Sequence, residues 1–282
     1  MGVKDGDSIQ VRQPDGQLLN VRYLGVYAPE QAEEVPLGIQ ITARHEELVG
    51  GKHVWLEVAL KDGEYLCDRD RRVLAFVFLD EDLTSLVQLA LVEQGLAVHH
   101  LPGLVDSRLD DFAFQLSYSD QLIEGQIGAV ITRQGIWSLP ALHSEADVVV
   151  AAVRYWGNAE VVYIVNRGPT ATDLARGWVL VEGDAYNRWL EGENPRNKVD
   201  FNRILGPECM LASGATLEVR SGGGIPPAKR NTREGCGSDR VILNWFGYKV
   251  WENDGDDVVL CSPDKTLLSF FSYPEPWKNL RP

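Results

Sequence analysis

The chain has 282 residues, a formal net charge of −14 and a mean hydropathy of −0.17. A hydrophobic content of 44% supplies packed cores, which excludes a wholly disordered chain, and the length allows two domains. No apolar run approaches the length of a transmembrane helix, so we expect no membrane span.

The first half of the chain predicts a small β-barrel followed by helices. Strands are expected where apolar and polar residues alternate, and helices where apolar residues recur at helical spacing. The predicted strands are 9–13, 18–26, 53–60 and 73–79. The predicted helices are 38–49, 84–97 and a long one over 106–133. Residues 139–146 contain a proline and little pattern, so we expect a linker there.

Three short motifs in this half carry the residue types that phosphodiester cleavage needs. They are Asp5-Gly6-Asp7-Ser8, the segment from Val21 to Glu30, and the segment from Asp68 to Phe76. Carboxylates can hold a metal ion and prepare a water molecule, and arginines can hold the phosphate. Each motif also has a plain structural interpretation, because Asp-Gly is a common turn signal and the charged residues could be solvated loop ends.

Together with Leu91 to Ala97 and Gly135 to Trp137, these motifs resemble the thermonuclease (staphylococcal nuclease) family. The resemblance covers roughly the first half of the chain. It implies a five-stranded oligonucleotide-binding-type (OB) barrel with helices, and calcium-dependent hydrolysis of DNA or RNA. Residues 1–138 are therefore interpreted as a thermonuclease-like OB-fold domain.

The resemblance implies a calcium site with one departure from the family pattern. Asp7 is expected to bind Ca²⁺, with Asp5 and the backbone carbonyl of Ala28 as further ligands. Tyr27 stands where the family has a second metal aspartate. A phenol is neutral near pH 7 and adds no charge, and calcium affinity falls as charged ligands are removed. Calcium binding is therefore expected to be weak or absent.

The resemblance also assigns the catalytic residues. Glu30 is expected to act on the water, while Arg22 and Arg72 are expected to hold the phosphate. The family's glycine before the second arginine is replaced by Arg71. His99 and His100 follow the second helix, and we expect them to be half-buried or solvated rather than catalytic.

Charge counts against a nucleic-acid partner for this half. Residues 1–140 contain 11 Lys and Arg and 22 Asp and Glu. A domain that binds a polyanion usually presents a basic face, because phosphate contacts dominate the affinity. The cleft must therefore be locally positive if the domain binds DNA or RNA.

The second half, residues 147–282, predicts an all-β sandwich of short strands separated by turns. The predicted strands are 148–153, 159–165, 178–181, 216–220, 241–244 and 258–261. No helix is obvious, although Tyr186 to Leu190 could make one turn. Glu160 to Asn166, Asp173 to Trp178, Leu211 to Leu217 and Trp251 to Leu260 resemble the lamin-tail domain family. That resemblance implies an immunoglobulin-like sandwich and a tethering role toward a cell surface or a protein partner.

Residues 220–240 form a basic segment in this acidic chain, with 5 Lys and Arg against 2 Asp and Glu. Lys229, Arg230 and Arg233 are candidate nucleic-acid contacts, and the alternative is a solvated hairpin loop. Cys209 and Cys236 flank a long irregular stretch that overlaps this segment, and a disulfide between them would suit an exported protein.

Two functions follow as alternatives. In the first, the chain is an exported nuclease, extracellular or on the cell surface, whose calcium-dependent hydrolysis is weakened or lost through Tyr27. In the second, it is a non-catalytic binding or tethering protein built on a nuclease fold. The short segment before Asp5 leads us to expect that the native N-terminus is missing from this chain.

Overall fold

The computed structural model describes residues 2–29, 36–61, 63–101, 114, 116–139, 147–174, 176–206, 208–247, 249–251, 256–262 and 264–273. The chain divides into two compact units: the first is Met1–Ala129 with Gln134–Ile136, and the second is Val130–Arg133 with Trp137–Pro282. The fold is mixed α+β, with many strands in several sheets. No helix in the described ranges is long and apolar enough to cross a membrane.

The first unit is built on a five-stranded sheet. Its strands and those of two small ribbons are β1 (Gly2–Asp5), β2 (Ser8–Arg12), β3 (Leu18–Tyr23), β4 (Val26–Tyr27), β5 (Trp55–Val58), β6 (Leu60–Lys61), β7 (Glu64–Tyr65), β8 (Val73–Phe78) and β9 (Val98–His99). The sheet order is β1-β2-β3-β8-β5, while β4 pairs with β9 and β6 with β7. β3 and β8 are parallel and the other pairs are antiparallel. This β-rich architecture is consistent with the predicted OB-type domain.

Helices accompany this sheet where the sequence predicts them, with shifted ends. They are α1 (Pro36–Val49), α2 (Val87–Glu93) and α3 (Ser119–Thr132). α2 begins three residues after the predicted start at Thr84. The reason is a turn in which the Asp80 carboxylate accepts hydrogen bonds from the backbone N–H groups of Thr84 and Ser85 (2.9 and 2.7 Å). Most of residues 106–118, the first part of the long predicted helix, lies outside the described residues.

The strand predicted over residues 18–26 is wrong in one respect, because it breaks at Gly25. That residue has φ +77°, in the left-handed region that favours glycine. A Cβ atom there would lie 2.9 Å from Leu122 Cδ1, so space also requires glycine. The break separates β3 from β4 and turns Tyr27 toward β9.

The second unit contains two larger sheets. Its strands are β10 (Val148–Arg154), β11 (Glu160–Asn166), β12 (Thr172–Asp173), β13 (Val179–Glu182), β14 (Lys198–Asp200), β15 (Met210–Leu211), β16 (Thr216–Ser221), β17 (Thr232–Glu234), β18 (Arg240–Asn244), β19 (Asp256–Cys261) and β20 (Leu267–Tyr273). The sheet orders are β10-β11-β16-β18-β17 and β14-β13-β19-β20, with β12 paired to β15. The two sheets meet where Val150 N–H donates to Ser269 Oγ (3.0 Å). All six strands predicted for this half are present, and the immunoglobulin-like topology stays a prediction.

The expectation that this half lacks a clear helix is wrong. α4 (Gly183–Leu190) and α5 (Phe201–Leu205) are both helical. Each begins at a carboxylate that caps its first turn: Glu182 accepts from Asp184 N–H and Ala185 N–H, and Asp200 accepts from Asn202 N–H. α4 also packs Tyr186 and Trp189 against buried β13 and β19 residues. Short capped helices of this kind carry too few turns to show helical periodicity.

Glu160 is a buried carboxylate that joins two segments of the lamin-tail resemblance. It accepts hydrogen bonds from Ser221 Oγ (3.0 Å), Val250 N–H (2.7 Å) and Trp251 N–H (3.3 Å). Burial raises the pKa of this carboxyl above its ordinary value. Its contacts make Glu160 a structural residue that fixes residues 250–251 to β11.

Cys209 and Cys236 form a disulfide across 27 residues of sequence. Closing a loop of this length contributes about 3–4 kcal/mol to stability in the chain-entropy view. The basic segment 220–240 is therefore an ordered part of the unit, with the ends of β16 and β18, all of β17 and a 3₁₀ turn at Pro227–Lys229. β17 and β18 form an antiparallel hairpin, and most residues of the segment are exposed, which agrees with the interpretation as a solvated hairpin. Cys67 is half-buried and Cys261 is buried, and both are free.

Candidate functional site

The candidate site of the first unit is organised by strand β3. Val21 and Tyr23 of β3 are buried in the core, so the alternating residue Arg22 points to the other face of the sheet. In the antiparallel pairing with β2, Arg22 lies opposite Ser8, and in the parallel pairing with β8 it lies opposite Leu74. Asp7 precedes Ser8, the β2 partner of Arg22, and Arg72 stands two residues before Leu74, the β8 partner of Arg22.

Asp7 is held at the edge of this face by backbone and side-chain contacts. Its carbonyl accepts a hydrogen bond from Tyr23 N–H (2.9 Å), and its Oδ2 accepts one from Ala28 N–H (2.9 Å). Its Oδ1 forms an ion pair with the Arg22 guanidinium, and only 4% of the Asp7 side chain is exposed. The predicted metal carboxylate and the predicted phosphate arginine are therefore direct partners.

Arg22 lies in a strongly perturbed electrostatic environment. Burial and the nearby charge of Arg72 lower the pKa of Arg22 to about 10, against the opposing effect of Asp5, Tyr27 and Asp68. The group is still protonated at neutral pH. Two guanidinium groups that repel each other at one face form a site that an anion stabilises.

Arg72 is positioned by Asp68, a residue to which sequence reasoning gave no individual role. The Asp68 carboxylate accepts hydrogen bonds from the backbone N–H of Arg72 (2.9 Å) and from Arg72 Nε (2.7 Å). It also accepts one from Asp70 N–H (2.9 Å), which closes the turn. The spacing Asp-x-x-x-Arg around a turn was visible in the sequence, but a solvated charged turn explained it equally well. Asp68 thus orients Arg72 toward the face that carries Arg22.

Tyr27 and His100 complete this face. The Tyr27 ring lies 5.5 Å from the Arg22 guanidinium carbon and makes an edge contact with the His100 ring (6.1 Å between centroids). Burial and the charges of His99 and Arg22 lower the pKa of His100 to about 3. The imidazole is therefore neutral at physiological pH. Sequence reasoning did not predict the contact of His100 with Tyr27, because only the β4–β9 pairing brings the two residues together.

His99 makes structural hydrogen bonds below this face. Its Nδ1 is 2.6 Å from Gly25 O and its backbone N–H donates to Gln126 Oε1 (2.6 Å). Burial lowers the pKa of His99 to about 4. Both histidines are half-buried, as predicted.

Asp5 organises the β1–β2 turn. Its Oδ1 accepts hydrogen bonds from Asp7 N–H (3.1 Å) and Ser8 Oγ (2.7 Å). Its carbonyl accepts a hydrogen bond from Nδ1 of the buried His45 (2.8 Å), so Nε2 of the neutral ring accepts one from Tyr23 hydroxyl (2.8 Å). Burial lowers the pKa of His45, which agrees with a neutral imidazole. The turn interpretation of this motif therefore holds, and a metal-binding role for Asp5 stays a prediction.

The predicted calcium ligands that the structure describes have other partners. Within the described ranges, no group of three or more His, Cys, Asp or Glu side chains is placed to hold a metal ion. Asp7 offers one carboxylate that already pairs with Arg22, and Tyr27 offers a neutral phenol. Ala28 meets Asp7 through its N–H, and the role of its carbonyl stays a prediction. Glu30, the predicted water-activating residue, lies outside the described residues.

The basic segment of the second unit is partly neutralised. Arg220 and Arg240 both pair with the carboxylate of Glu218, the latter at 3.2 Å, and Lys229 pairs with Glu234 (3.1 Å). Arg230 and Arg233 form no ion pair with any described residue and are exposed. Of the three predicted nucleic-acid contacts, Arg230 and Arg233 are therefore better placed than Lys229 to pair with a phosphate.

Arg71 carries a conformational strain that a substitution can test. Its φ is +61°, in the left-handed region where a residue with a Cβ is disfavoured. We expect Arg71→Gly to stabilise the protein by about 1 kcal/mol, after allowance for the greater freedom of glycine in the unfolded chain. Thermal unfolding measures the change. Arg69→Gly removes the same charge from the same turn at an exposed residue and should not stabilise; equal effects of the two variants would contradict this explanation.

The neutral state of His100 predicts a pH dependence of stability. Its folded pKa of about 3 lies below the ordinary 6.5, so the unfolded chain binds this proton first as the pH falls. The free energy of unfolding should therefore decrease as the pH is lowered from about 6.5 toward 3. His100→Gln should make the decrease shallower, by at most about 1.4 kcal/mol per pH unit. Denaturant unfolding at a series of pH values tests this, and parallel curves for both proteins would refute it.

Comparison with known proteins agrees with the fold of the first unit. Residues 20–139 match the family model described as Staphylococcal nuclease homologue. No curated protein matches the chain. The match spans the segment that contains Arg22, Tyr27 and Arg72, and it covers a little under half of the chain. The N-terminal half is thus similar to staphylococcal nuclease homologues and has a nuclease-like fold.

Proposed function

We propose that the first unit binds the phosphodiester backbone of a nucleic acid through Arg22 and Arg72, and that its calcium-dependent hydrolysis is weak. The observation that supports the proposal is the β3–β8 register, in which Arg22 lies opposite Leu74, two residues after Arg72. The two arginines are near enough for the charge of Arg72 to lower the pKa of Arg22. Similarity to a nuclease family makes a nucleic acid the favoured anion.

Phosphate is a suitable ligand for this pair of arginines. Guanidinium groups offer forked N–H donors that match phosphate oxygens, and such charge-assisted bonds are stronger than neutral ones. A bound phosphodiester would also relieve the repulsion between Arg22 and Arg72. Because the side chains of Arg22 and Arg72 are only 13% and 28% exposed, solvent screens this attraction less than at an open surface.

Weak hydrolysis follows from the metal ligands. Asp7 is the one predicted metal carboxylate that faces the arginines, and it is engaged by Arg22 and by Ala28 N–H. Tyr27 replaces the second aspartate, so the site has lost one negative charge toward a divalent cation. Glu30 is proposed to act on the attacking water, and Ca²⁺, where bound, would stabilise charge on the phosphate.

A tethering role for the second unit is a further candidate, favoured by the disulfide between Cys209 and Cys236. Disulfides persist in oxidising compartments, so the bond supports an exported protein that acts outside the cell or at its surface. In that setting, a lamin-tail-like domain would hold the nuclease-like unit near its partner. The two roles are compatible, because they belong to different units.

Cleavage of single-stranded DNA and RNA, with calcium and with chelator, tests the proposal. We expect weak calcium-dependent cutting by the unaltered chain and at least about tenfold faster cutting by Tyr27→Asp, since the second metal carboxylate is restored. Glu30→Gln should abolish cutting in both backgrounds. Tyr65→Asp adds the same charge at an exposed tyrosine of the same unit and should change nothing.

Oligonucleotide binding in chelator separates the arginine site from catalysis. Arg22→Gln and Arg72→Gln should each weaken the binding of a duplex about tenfold or more, because each removes a charge-assisted phosphate contact. Arg12→Gln, at an exposed arginine of β2, is the matched control. Unchanged binding in both site variants would refute the phosphodiester role, whatever the outcome for cleavage.

A further inference from the structure

The second unit contains a cavity of about 480 Å³ between the segment 194–204 and the residues next to the ends of β17 and β18, namely Asn231, Trp245 and Phe246. This volume is in the range of small-ligand sites. The lining residues that matter here are Asn194, Arg196, Lys198, Arg203, Asn231 and Phe246. They combine cations, amides and one aromatic ring around a concave surface.

The cations of this cavity are available to a ligand. Arg196 and Arg203 are exposed, and neither forms an ion pair with a described residue. Lys198 Nζ donates to Asn194 Oδ1 (3.1 Å) and lies 4.4 Å from the Trp189 ring centroid, which holds its charge at the cavity wall. Asp200 also lines the cavity, but its carboxylate caps α5 through Asn202 N–H. The wall is therefore locally positive in a chain whose net charge is −14.

Two further arginines extend this basic wall. The Arg233 guanidinium lies beside Gly206, the residue that ends α5. A Cβ atom built on Gly206 would lie 3.4 Å from Arg233 Nη1. A methyl group on Gly247 would overlap the Arg230 guanidinium, which therefore packs next to Phe246. The segment 220–240 and the segment 194–204 thus contribute to one basic surface, although they are distant in sequence.

Phe246 gives this surface an aromatic platform. Its ring lines the cavity, is half-buried, and packs on the buried Trp245 ring (3.8 Å between centroids). A ring supported in this way loses little freedom when a base stacks on it. Aromatic rings beside cations are the elements by which proteins bind single-stranded nucleic acids without sequence preference.

We propose that this cavity binds a nucleotide unit of single-stranded DNA or RNA. Arg196 and Arg203 would hold the phosphates, Phe246 would stack on the base, and the amides of Asn194 and Asn231 would meet the base edge. The concave shape and the ring favour a splayed base over a flat anionic membrane. The site does not depend on Arg22 and Arg72, which belong to the other unit.

The disulfide links the two sides of the cavity. Cys209 follows the α5 segment that carries Arg203, and Cys236 follows the β17 segment that carries Arg233. Reduction would remove the covalent connection between these segments. Binding of single strands should then weaken, while the Arg22–Arg72 face has no disulfide to lose.

Fluorescence anisotropy of a labelled deoxythymidine oligomer of about 12 nucleotides, with the full chain and chelator, tests the proposal. Arg196→Gln/Arg203→Gln should weaken binding about tenfold or more, and should reduce the slope of log affinity against log salt by about 1.4. Phe246→Leu should weaken binding roughly tenfold with a little-changed slope, and Phe246→Tyr should restore it. Thermal unfolding checks that each variant is folded.

The controls isolate this site from general electrostatics and from the first unit. Arg176→Gln/Arg188→Gln removes the same charge from exposed arginines elsewhere in the second unit. An equal loss in that variant, or unchanged binding in Arg196→Gln/Arg203→Gln, would overturn the proposal. The measurements are repeated in an Arg22→Gln/Arg72→Gln background, where the cavity variants should still weaken binding. If only the Arg22 and Arg72 substitutions matter, this inference fails while the proposed function of the first unit stands.

Discussion

The pairing of strand β3 with both its neighbours is the constraint on which the candidate site depends. Antiparallel pairing with β2 fixes Ser8 opposite Arg22, and parallel pairing with β8 fixes Leu74 opposite Arg22. Burial of Val21 and Tyr23 prevents a shift by one residue, because such a shift would turn Arg22 into the core. The positions of Asp7 and Arg72 relative to Arg22 are consequences of this register.

The same geometry supports the proposal that this site binds an anion and that its metal-dependent chemistry is weak. Asp7 is the carboxylate of this face, and Arg22 neutralises it. The residue that would have added a second carboxylate is Tyr27, whose ring instead lies beside the Arg22 guanidinium. Arg72 is likewise paired with Asp68 and lies 3.5 Å from Asp70, so both arginines of this face have carboxylate partners. A nucleic acid would compete with these carboxylates for the two guanidinium groups.

Much of this organisation was predictable from motifs, and the rest depended on tertiary contacts. Asp7, Arg22 and Arg72 each stand in a short recognisable segment, and the structure pairs Asp7 with Arg22. The contact of His100 with Tyr27 and the role of Asp68 were not predicted, since the first depends on the β4–β9 pairing and the second resembles any solvated turn residue. The helix Gly183–Leu190 was predicted only as one turn over 186–190, because two turns give a weak periodic signal. In the second unit, the basic residues near 196–203 had no neighbours in sequence that would connect them with residues 230–233.

Calcium titration by calorimetry, in the presence of an uncleaved phosphodiester analogue, tests the central claim most directly. The account predicts weak or undetectable binding by the unaltered chain and at least about tenfold tighter binding by Tyr27→Asp, with no gain in Tyr65→Asp. This result would show that Asp7 can still bind the metal and that one lost carboxylate limits calcium binding. Tight calcium binding by the unaltered chain, or no gain in Tyr27→Asp, would contradict the account.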